Sequence, residues 1–324
     1  MFFYGVIMTL LIVPTNYSVT APGYNDNVSD TIYVLPSENA NQEGSFHTTS
    51  VISFEEITIY QKWLGNALPK VTVEAMSSWY ETIQISELQV MGRLMKDDSI
   101  QTSLIVGIAG AEKNITYTSY PTVYLTYRHL TPDTLQIGDS ILSVNGNEDI
   151  FAGFEDVLCG EEAEVVIIRD EEVMTVYPKR EETESQCSFG VYVLPYTIIE
   201  DTEVEYDIYD TNTGGPSGGL MQSLYIFNQL TDYDYSLGMK IGGTGTIDVD
   251  GNVGYIGGIR EKIITAIGND IDIFFVPRLT TEDNDNYVEA MNVLKEFDTD
   301  LIIIGVSTFD QAVAFLEGYG AAHE

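Results

Sequence analysis

The chain has 324 residues, of which 14 are Lys or Arg and 50 are Asp or Glu, so its formal net charge is −36 at pH 7. This length allows two or three domains, and a hydrophobic content of 44% is sufficient for real cores. Because a strongly negative field repels phosphate groups and the sequence has no basic stripe, nucleic acid and anionic membrane surfaces are disfavoured as electrostatic partners.

The amino terminus is apolar. Residues 1–13 carry no charged side chain and end at Pro14. As a helix, this segment spans about 20 Å, which is less than the roughly 30 Å of a hydrocarbon core. It is therefore either the outer end of a membrane anchor that begins upstream of Met1, or a buried apolar segment. Residues 15–49 are polar and lack Lys and Arg, which favours the anchor and predicts that the following chain lies outside the cytoplasm.

Strands and helices are both predicted along the rest of the chain. Up to residue 177, strands are predicted at 31–35, 46–53, 102–110, 121–128, 164–168 and 173–177. Helical spacing runs from 54 to about 96, and a short amphipathic stretch lies at 151–158. The segment LQIGDSILSVNG lies between these, at 135–146. After a polar linker at 179–188 the predicted elements are a strand at 190–195, a helix after Ser217, a hairpin at 241–256 with an Asp250-Gly251 turn, a helix after Ile259, a strand at 273–276, a helix at 286–297, a strand at 301–304 and a helix at 308–316. This mixture predicts an α+β fold.

The cysteines and histidines give few signals. Cys159 and Cys187 have no motif around them, so one disulfide and two unpaired thiols both remain open. His47, His129 and His323 have no metal-ligand spacing, and no metal is predicted. A Ser-His-Asp triad would need His47 or His129, which spacing does not exclude because triads assemble in space.

The segment TGGPSGGLM, residues 213–221, is the sharpest local feature. Pro216 fixes its own φ angle, the flanking glycines allow close backbone approach, and Ser217 then opens a helix. A hydroxyl at a helix N-terminus can act as a nucleophile beside N–H groups that stabilise an oxyanion. The same serine is also consistent with a simple helix N-cap.

The segment GYIGGIREKIITA, residues 254–266, brings Lys262 into the first turn of a helix. This lysine is either a solvated helix residue or a general base, and a base must be neutral near pH 7. The net charge of −36 raises the pKa values of lysines and therefore opposes a neutral amine at Lys262. Only burial away from water could lower its pKa enough for it to act as a base. The apolar run at 263–267 is consistent with such a site. The sequence has neither GxGxxG nor a phosphate-binding loop, so no nucleotide is predicted.

Together these motifs resemble the proteolytic domain of the Lon proteases, and most closely the membrane-anchored PDZ–Lon proteins of Gram-positive bacteria, which lack the ATPase module. The resemblance covers about residues 190–316 through GGPSGGLMQSLYIFNQL, GGTGTIDVDGNVGYIGGIREK, IFFVP and TFDQAVAFL. It implies Ser217 as nucleophile, Lys262 as general base and Thr244 as a support for the lysine. Gly215, Pro216 and Gly218 then form the oxyanion loop. Gly219 departs from the family, which more often has alanine there.

The segment LQIGDSILSVNG resembles the core motif of a PDZ domain, in which a strand and a turn precede the helix of the peptide groove. The resemblance implies a peptide-binding role for the residues Leu135, Gly138, Asp139, Ile141 and Val144.

These observations and resemblances predict four regions: an apolar anchor at 1–14, an extended and helical segment at 15–100 that partly joins the catalytic domain, a PDZ-like domain at 101–180, and a Lon-type proteolytic domain at 189–320. The expected function is that of an ATP-independent, membrane-bound serine endopeptidase that acts on peptides or protein segments outside the cytoplasm, without a cofactor. Two alternatives are a catalytically inactive, PDZ-type peptide-binding surface protein and an acidic scaffold that binds cations or cationic partners. Oligomeric state is not predicted.

Overall fold

The computed structural model describes residues 2–35, 42–77, 83–127, 135–182, 187–209, 213–280 and 284–323. The described helices are α1 (Phe2–Ile12), α2 (Ile59–Ala67), α3 (Ile85–Gly110), α4 (Ile150–Glu155), α5 (Gly219–Gln229), α6 (Ile259–Gly268), α7 (Asn286–Leu294) and α8 (Phe309–His323). The described strands are β1 (Tyr17–Asn27), β2 (Ile32–Leu35), β3 (Ser45–Phe54), β4 (Thr72–Ala75), β5 (Ile115–Thr126), β6 (Ser140–Val144), β7 (Val165–Arg169), β8 (Glu172–Val176), β9 (Glu181–Glu182), β10 (Cys187–Ser188), β11 (Val191–Thr202), β12 (Glu205–Ile208), β13 (Lys240–Gly243), β14 (Thr246–Ile247), β15 (Val253–Gly254), β16 (Ile273–Pro277) and β17 (Ile302–Val306).

The chain divides into two compact units. The first comprises Met1–Met76, Thr102–Ile115 and Thr202–Glu324, and the second comprises Ser77–Gln101 and Thr116–Asp201. The first unit is thus assembled from three separate stretches of sequence.

A six-stranded sheet forms the centre of the first unit, in the order β17-β16-β13-β3-β1-β4. The first four strands are parallel, whereas β1 runs antiparallel to both of its neighbours. All five residues of β16 are buried, as expected for a parallel strand covered on both faces. The sheet therefore joins strands from the amino-terminal third of the chain, β1 and β3, to strands from its last third.

Residues 102–110 are the last part of helix α3, and the predicted strand at this position is wrong. Positions 102–108 are buried consecutively, so the sequence has no polar face from which a helical period could be read. The helix packs directly on α5: a Cβ atom at Gly107 would lie 2.7 Å from that of Ile226, and the Ser103 hydroxyl donates to the Gly219 carbonyl over 3.1 Å.

The predicted hairpin at 241–256 is shorter than expected. Strand β13 pairs in parallel with β3 and β16, and only β14 and β15 form an antiparallel pair. The turn between them has Gly251 at φ +78°, and the Asp248 carboxylate accepts hydrogen bonds from the N–H groups of Asp250 and Asn252. The turn lies where the sequence predicted it, but it is a loop of three residues that also includes Val249: the Asp248 N–H donates to the Asn252 carbonyl, and the Gly251 N–H donates to the Asp248 carbonyl. The partner of β13 depends on chain that lies far away in sequence.

The predicted helical region from 54 to about 96 contains two helices and a strand. Helix α2 begins at a capping box in which Thr58 and Gln61 exchange side-chain-to-backbone hydrogen bonds. Strand β4 follows it and pairs with β1, and helix α3 begins at Ile85.

Among the described residues, no helix has both the length and the apolarity that a membrane crossing requires.

The second unit contains a five-stranded sheet in the order β11-β5-β6-β7-β8. Its core includes buried side chains from β6, β7 and the loops beside them, and α4 packs against β6. Cys159 and Cys187 form a disulfide, which answers the question that the sequence left open. Within the predicted polar linker, β9 pairs with β10.

The five residues assigned to peptide binding have structural positions in this unit. Leu135, Ile141 and Val144 are at most 1% exposed and lie in the core. Asp139, also buried, accepts two hydrogen bonds from the Arg169 guanidinium at 2.7 and 2.6 Å. Gly138 provides a turn at φ +95°. Because the four side chains are occupied inside the unit, they are not available to a peptide, and the predicted binding role is not supported at these positions.

Candidate active site

Two segments that lie 45 residues apart bring Ser217 and Lys262 together. Ser217 lies just before α5, and Lys262 is in the first turn of α6. The lysine Nζ lies 2.8 Å from the serine Oγ. At this distance a proton can pass directly between the hydroxyl and a neutral amine.

Thr244 contacts both residues of this pair. The Lys262 Nζ donates to the Thr244 Oγ1 over 2.9 Å, and the Thr244 hydroxyl donates to the Ser217 carbonyl over 3.1 Å. The Thr244 N–H donates to the carbonyl of Phe275 in β16, which fixes the threonine to the central sheet. Thr244 therefore holds the lysine amine and the serine backbone in one arrangement.

Burial determines the charge of Lys262. The side chain is 3% exposed, and desolvation lowers the pKa of its amine from 10.5 to about 7. The negative charge of the whole chain acts in the opposite direction, but most of that charge lies in solvent, where it is screened. A large fraction of Lys262 is thus neutral at neutral pH.

The loop before α5 is held by backbone hydrogen bonds. The Gly245 N–H donates to the Ser217 carbonyl over 2.8 Å, and the Leu220 N–H donates to the Gly245 carbonyl. Gly215 has φ +87°, which a side chain would strain. The N-cap of α5 is Gly218, with no side-chain capping bond, so Ser217 is not the N-cap that the sequence left as an alternative.

The backbone before α6 depends on a glycine, and side chains from other elements hold this backbone and α6 in place. Gly258 is the N-cap of α6 at φ +68°, and a Cβ atom there would lie 2.8 Å from a methyl group of Val51. The side-chain amide of Asn286 exchanges two hydrogen bonds of 3.0 Å with the backbone of Ile256. The Thr72 hydroxyl donates to the buried carboxylate of Glu261, which ties α6 to β4.

Ser217 and Lys262 line an open cleft of about 670 Å³. Its lining residues are Thr20, Tyr24, Ser50, Val51, Ile52, Ser53, Thr213, Gly214, Pro216, Ser217, Thr246, Tyr255, Ile256, Gly257, Gly258 and Lys262. Lys262 is the only Lys, Arg, Asp or Glu among these described lining residues, although the chain is strongly acidic. β1 and β3 form one wall of this cleft, and they lie in the segment at 15–100 that the resemblance expects to join the catalytic domain in part. Sequence reasoning did not predict that their residues line the site, because these strands carry no local motif and precede Ser217 by more than 160 residues.

The histidines do not join this pair in the described part of the chain. The His47 ring nitrogens lie 2.8 Å from the Ser45 hydroxyl and 3.0 Å from the Asn25 amide, and burial lowers the pKa of the ring. His129 lies outside the described residues. Among the described residues, no group of three or more His, Cys, Asp or Glu side chains has a metal-binding arrangement.

A serine hydroxyl next to a buried, partly neutral lysine amine is the arrangement that Ser-Lys hydrolases use. Residues 200–316 match the family described as the Lon protease (S16) C-terminal proteolytic domain. The Lon protease of Campylobacter jejuni subsp. jejuni is 30% identical over 136 residues. That similarity covers 39% of this chain and 16% of the relative, so the chain corresponds to less than a fifth of that protein. The region that matches the family includes Ser217, Thr244 and Lys262, whereas β1 and β3 lie outside it.

Proposed function

We propose that this chain is a serine endopeptidase that needs no ATP and acts outside the cytoplasm on exposed peptide segments. The observation that carries the proposal is the 2.8 Å contact between the Ser217 hydroxyl and the buried Lys262 amine, whose pKa is about 7. The match to the Lon proteolytic domain supports the same class of reaction. The sequence contains no phosphate-binding loop, so the proposal assigns no nucleotide to this chain.

In the proposed reaction, Ser217 Oγ attacks the carbonyl carbon of the scissile peptide bond while the neutral Lys262 amine takes the hydroxyl proton. The C–N bond then breaks, and the Lys262 ammonium donates this proton to the leaving amine. Water attacks the resulting ester with Lys262 again as the base, which releases the acid product and restores the serine hydroxyl. No oxidant, metal or nucleotide is needed to balance these steps.

The oxyanion of the tetrahedral intermediate lies at the N-terminus of α5. The N–H groups of Ser217 and Gly218 donate to no backbone carbonyl within the described residues. N–H groups at a helix N-terminus stabilise negative charge because they add to the positive end of the helix dipole. The glycines and proline around Ser217 leave room for the substrate carbonyl.

The cleft favours uncharged, apolar residues beside the scissile bond. Val51, Ile52, Pro216, Tyr24 and Tyr255 contribute apolar surface to its walls. A cationic substrate side chain would lose water there without gaining an opposite charge from any of the described lining residues. The expected substrates are therefore unfolded tails or loops with aliphatic or aromatic side chains.

Two further parts of the proposal concern location and substrate capture. The apolar residues 1–14 attach the chain to a membrane with the catalytic unit outside the cytoplasm. The PDZ-like region 101–180 captures an extended segment by adding it to a sheet edge. Helix α4, which follows β6 and packs on it, supports this resemblance.

The proposal is tested by incubating the purified full chain with an unfolded protein, with and without ATP, at about pH 8, where the lysine amine is mostly neutral. We expect internal cleavage at the same rate under both conditions, with new termini at apolar residues identified by mass spectrometry. Absence of cleavage of both an unfolded protein and a peptide library would favour the inactive peptide-binding alternative.

Replacing Thr244 with Val should lower kcat by about 10- to 100-fold with little change in KM, because a buried hydrogen-bonding partner of Lys262 and Ser217 is worth about 1–3 kcal/mol. Peptide cleavage kinetics measure this change. Thr244→Ser, which keeps the hydroxyl, should restore most of the activity. A Thr244→Val variant that is as active as wild type would remove the positioning role.

A further inference from the structure

Residues 1–25 and 57–73 are two of several stretches of this acidic chain that contain no Asp or Glu, although the whole chain has 50 among 324 residues. The second stretch also contains Lys62 and Lys70. Where such a stretch is exposed, its surface suits a partner that disfavours negative charge.

These two stretches meet in the first unit. The Thr15 N–H and hydroxyl both donate to the Ile57 carbonyl, at 2.9 and 2.6 Å. The Ile57 N–H donates in turn to the Tyr17 carbonyl, and Pro14 forms a β-bridge with Thr58. The end of α1 and the beginning of α2 are therefore held side by side.

The two helices expose large apolar side chains. We define the α1–α2 face by those of its exposed residues that are described, which are Tyr4, Ile7, Met8, Leu10, Leu11, Ile12 and Val13 on or just after α1 and Tyr60, Trp63, Leu64 and Leu68 on or just after α2. Trp63 is 68% exposed although tryptophan has one of the largest apolar surfaces of any side chain. Large apolar side chains exposed together on neighbouring helices are costly in water and are typical of a contact surface.

The chemistry of the α1–α2 face fits a lipid bilayer better than another protein. Helix α1 has the sequence FFYGVIMTLLI, which contains no charged residue, and such a sequence suits hydrocarbon better than one protein groove. Tyr60 and Trp63 lie on the neighbouring helix with ring centroids 6.2 Å apart. Aromatic rings with a polar edge, together with lysines, are typical of the boundary between lipid headgroups and acyl chains.

We propose that α2 lies in the headgroup region of a bilayer with Trp63 inserted at the acyl boundary, while α1 enters the hydrocarbon beside it. This inference rests on the membrane attachment in the proposed function and assigns it to a second element, α2. It does not depend on the chemistry at Ser217. Attachment by α2 holds the first unit at the membrane surface, where it reaches extended segments of other surface proteins.

The test uses tryptophan fluorescence of the full chain, which has only Trp63 and Trp79. In a Trp79→Phe variant, Trp63 is the only tryptophan. On addition of phosphatidylcholine vesicles, we expect the emission maximum to shift to shorter wavelength and lipids brominated near the headgroup to quench more strongly than lipids brominated deep in the chains. A chain that sediments with the vesicles while its Trp63 emission stays unchanged would overturn the role of α2.

A matched reporter separates α2 from other exposed surfaces. Tyr209 lies in the same unit and is 55% exposed. A Trp63→Phe, Trp79→Phe, Tyr209→Trp chain should sediment with vesicles without a shift in its tryptophan emission. An equal shift of both reporters would indicate non-specific adsorption and would contradict the proposal. A Trp63 emission shift that appears without vesicles and depends on protein concentration would also contradict it, because a second copy of the chain would then cover the α1–α2 face.

A paired variant tests the contribution to binding. Tyr60→Ser with Trp63→Ser should weaken vesicle partitioning at least about tenfold, because two large apolar side chains leave the interface, and cleavage of a soluble peptide should stay unchanged. Unchanged partitioning would contradict the proposal. The two proposals can fail independently. If the wild-type chain cleaves peptides but does not bind vesicles, the membrane inference is wrong and the peptidase proposal stands. If it binds vesicles with the expected Trp63 signal but cleaves no peptide, only the peptidase proposal is wrong.

Discussion

Replacing Ser217 with Ala, or Lys262 with Met, should each reduce peptide cleavage by at least about 10³-fold, because nucleophile and base act as one unit. The alanine side chain would leave no atom to form the ester. The methionine side chain would occupy a volume similar to that of lysine but would not accept the serine proton. The double variant should be no less active than either single variant, because each single change already removes the covalent pathway. The measurement is kcat/KM on a peptide that contains an internal apolar segment.

Matched controls distinguish chemistry from folding. Lys295 lies on the surface of the same unit, where its Nζ contacts the side chain of Asn292. Lys295→Met should retain wild-type activity, and circular dichroism should give the same fold for all variants. If either Ser217→Ala or Lys262→Met retained wild-type activity, the Ser-Lys mechanism would be wrong. If both lost activity together with their fold, Ser217→Cys, a smaller change, would decide through its reaction with thiol reagents and its residual cleavage.

Activity should rise with pH through a midpoint near 7, because only the neutral form of Lys262 accepts the serine proton. The pKa of the amine is lowered to about 7 by desolvation. Below this value, kcat/KM should fall about tenfold per pH unit, as for a single ionisation. A profile of kcat/KM between about pH 5 and 9 measures the midpoint. A midpoint above about pH 9 would mean that the lysine is solvated and would contradict the proposed base.

The same burial that lowers the pKa of Lys262 also lowers the free energy of unfolding at neutral pH. The unfolded chain binds the lysine proton up to pH 10.5 and the folded chain only up to about pH 7, so stability from this group rises with pH between these values. The cost is fully present below about pH 7, is on the order of 4 kcal/mol near pH 7, and disappears above pH 10.5.

Lys262→Met should therefore raise the free energy of unfolding by a few kcal/mol at pH 7 while it abolishes cleavage. Urea unfolding at several pH values measures the difference between variant and wild type, which should shrink as the pH approaches about 10. Lys295→Met, at an exposed position, should show no such pH-dependent gain. A Lys262→Met variant that is less stable than wild type at pH 7 would indicate that its hydrogen bonds outweigh the burial of the amine.

Local sequence determined the elements that carry the candidate site. The glycines and proline around Ser217, the Gly257-Gly258 pair before α6 and the Asp250-Gly251 turn have backbone preferences that act within a few residues, so their positions could be predicted directly. The strand at 32–35 and the helices after Ser217 and Ile259 are confirmed for the same reason.

Only the tertiary structure decided the properties that depend on distant chain. Burial decides that Lys262 can be neutral, and packing decides that Leu135, Ile141 and Val144 lie in a core instead of facing a ligand. Residues 102–110 form a helix because they pack against the surface of α5. The Cys159–Cys187 disulfide likewise joins segments that carry no local sign of each other, and only the structure decided which residues of β1 and β3 line the cleft. Solvent exclusion is a property of the assembled fold, and it is solvent exclusion that converts an ordinary lysine into a candidate base.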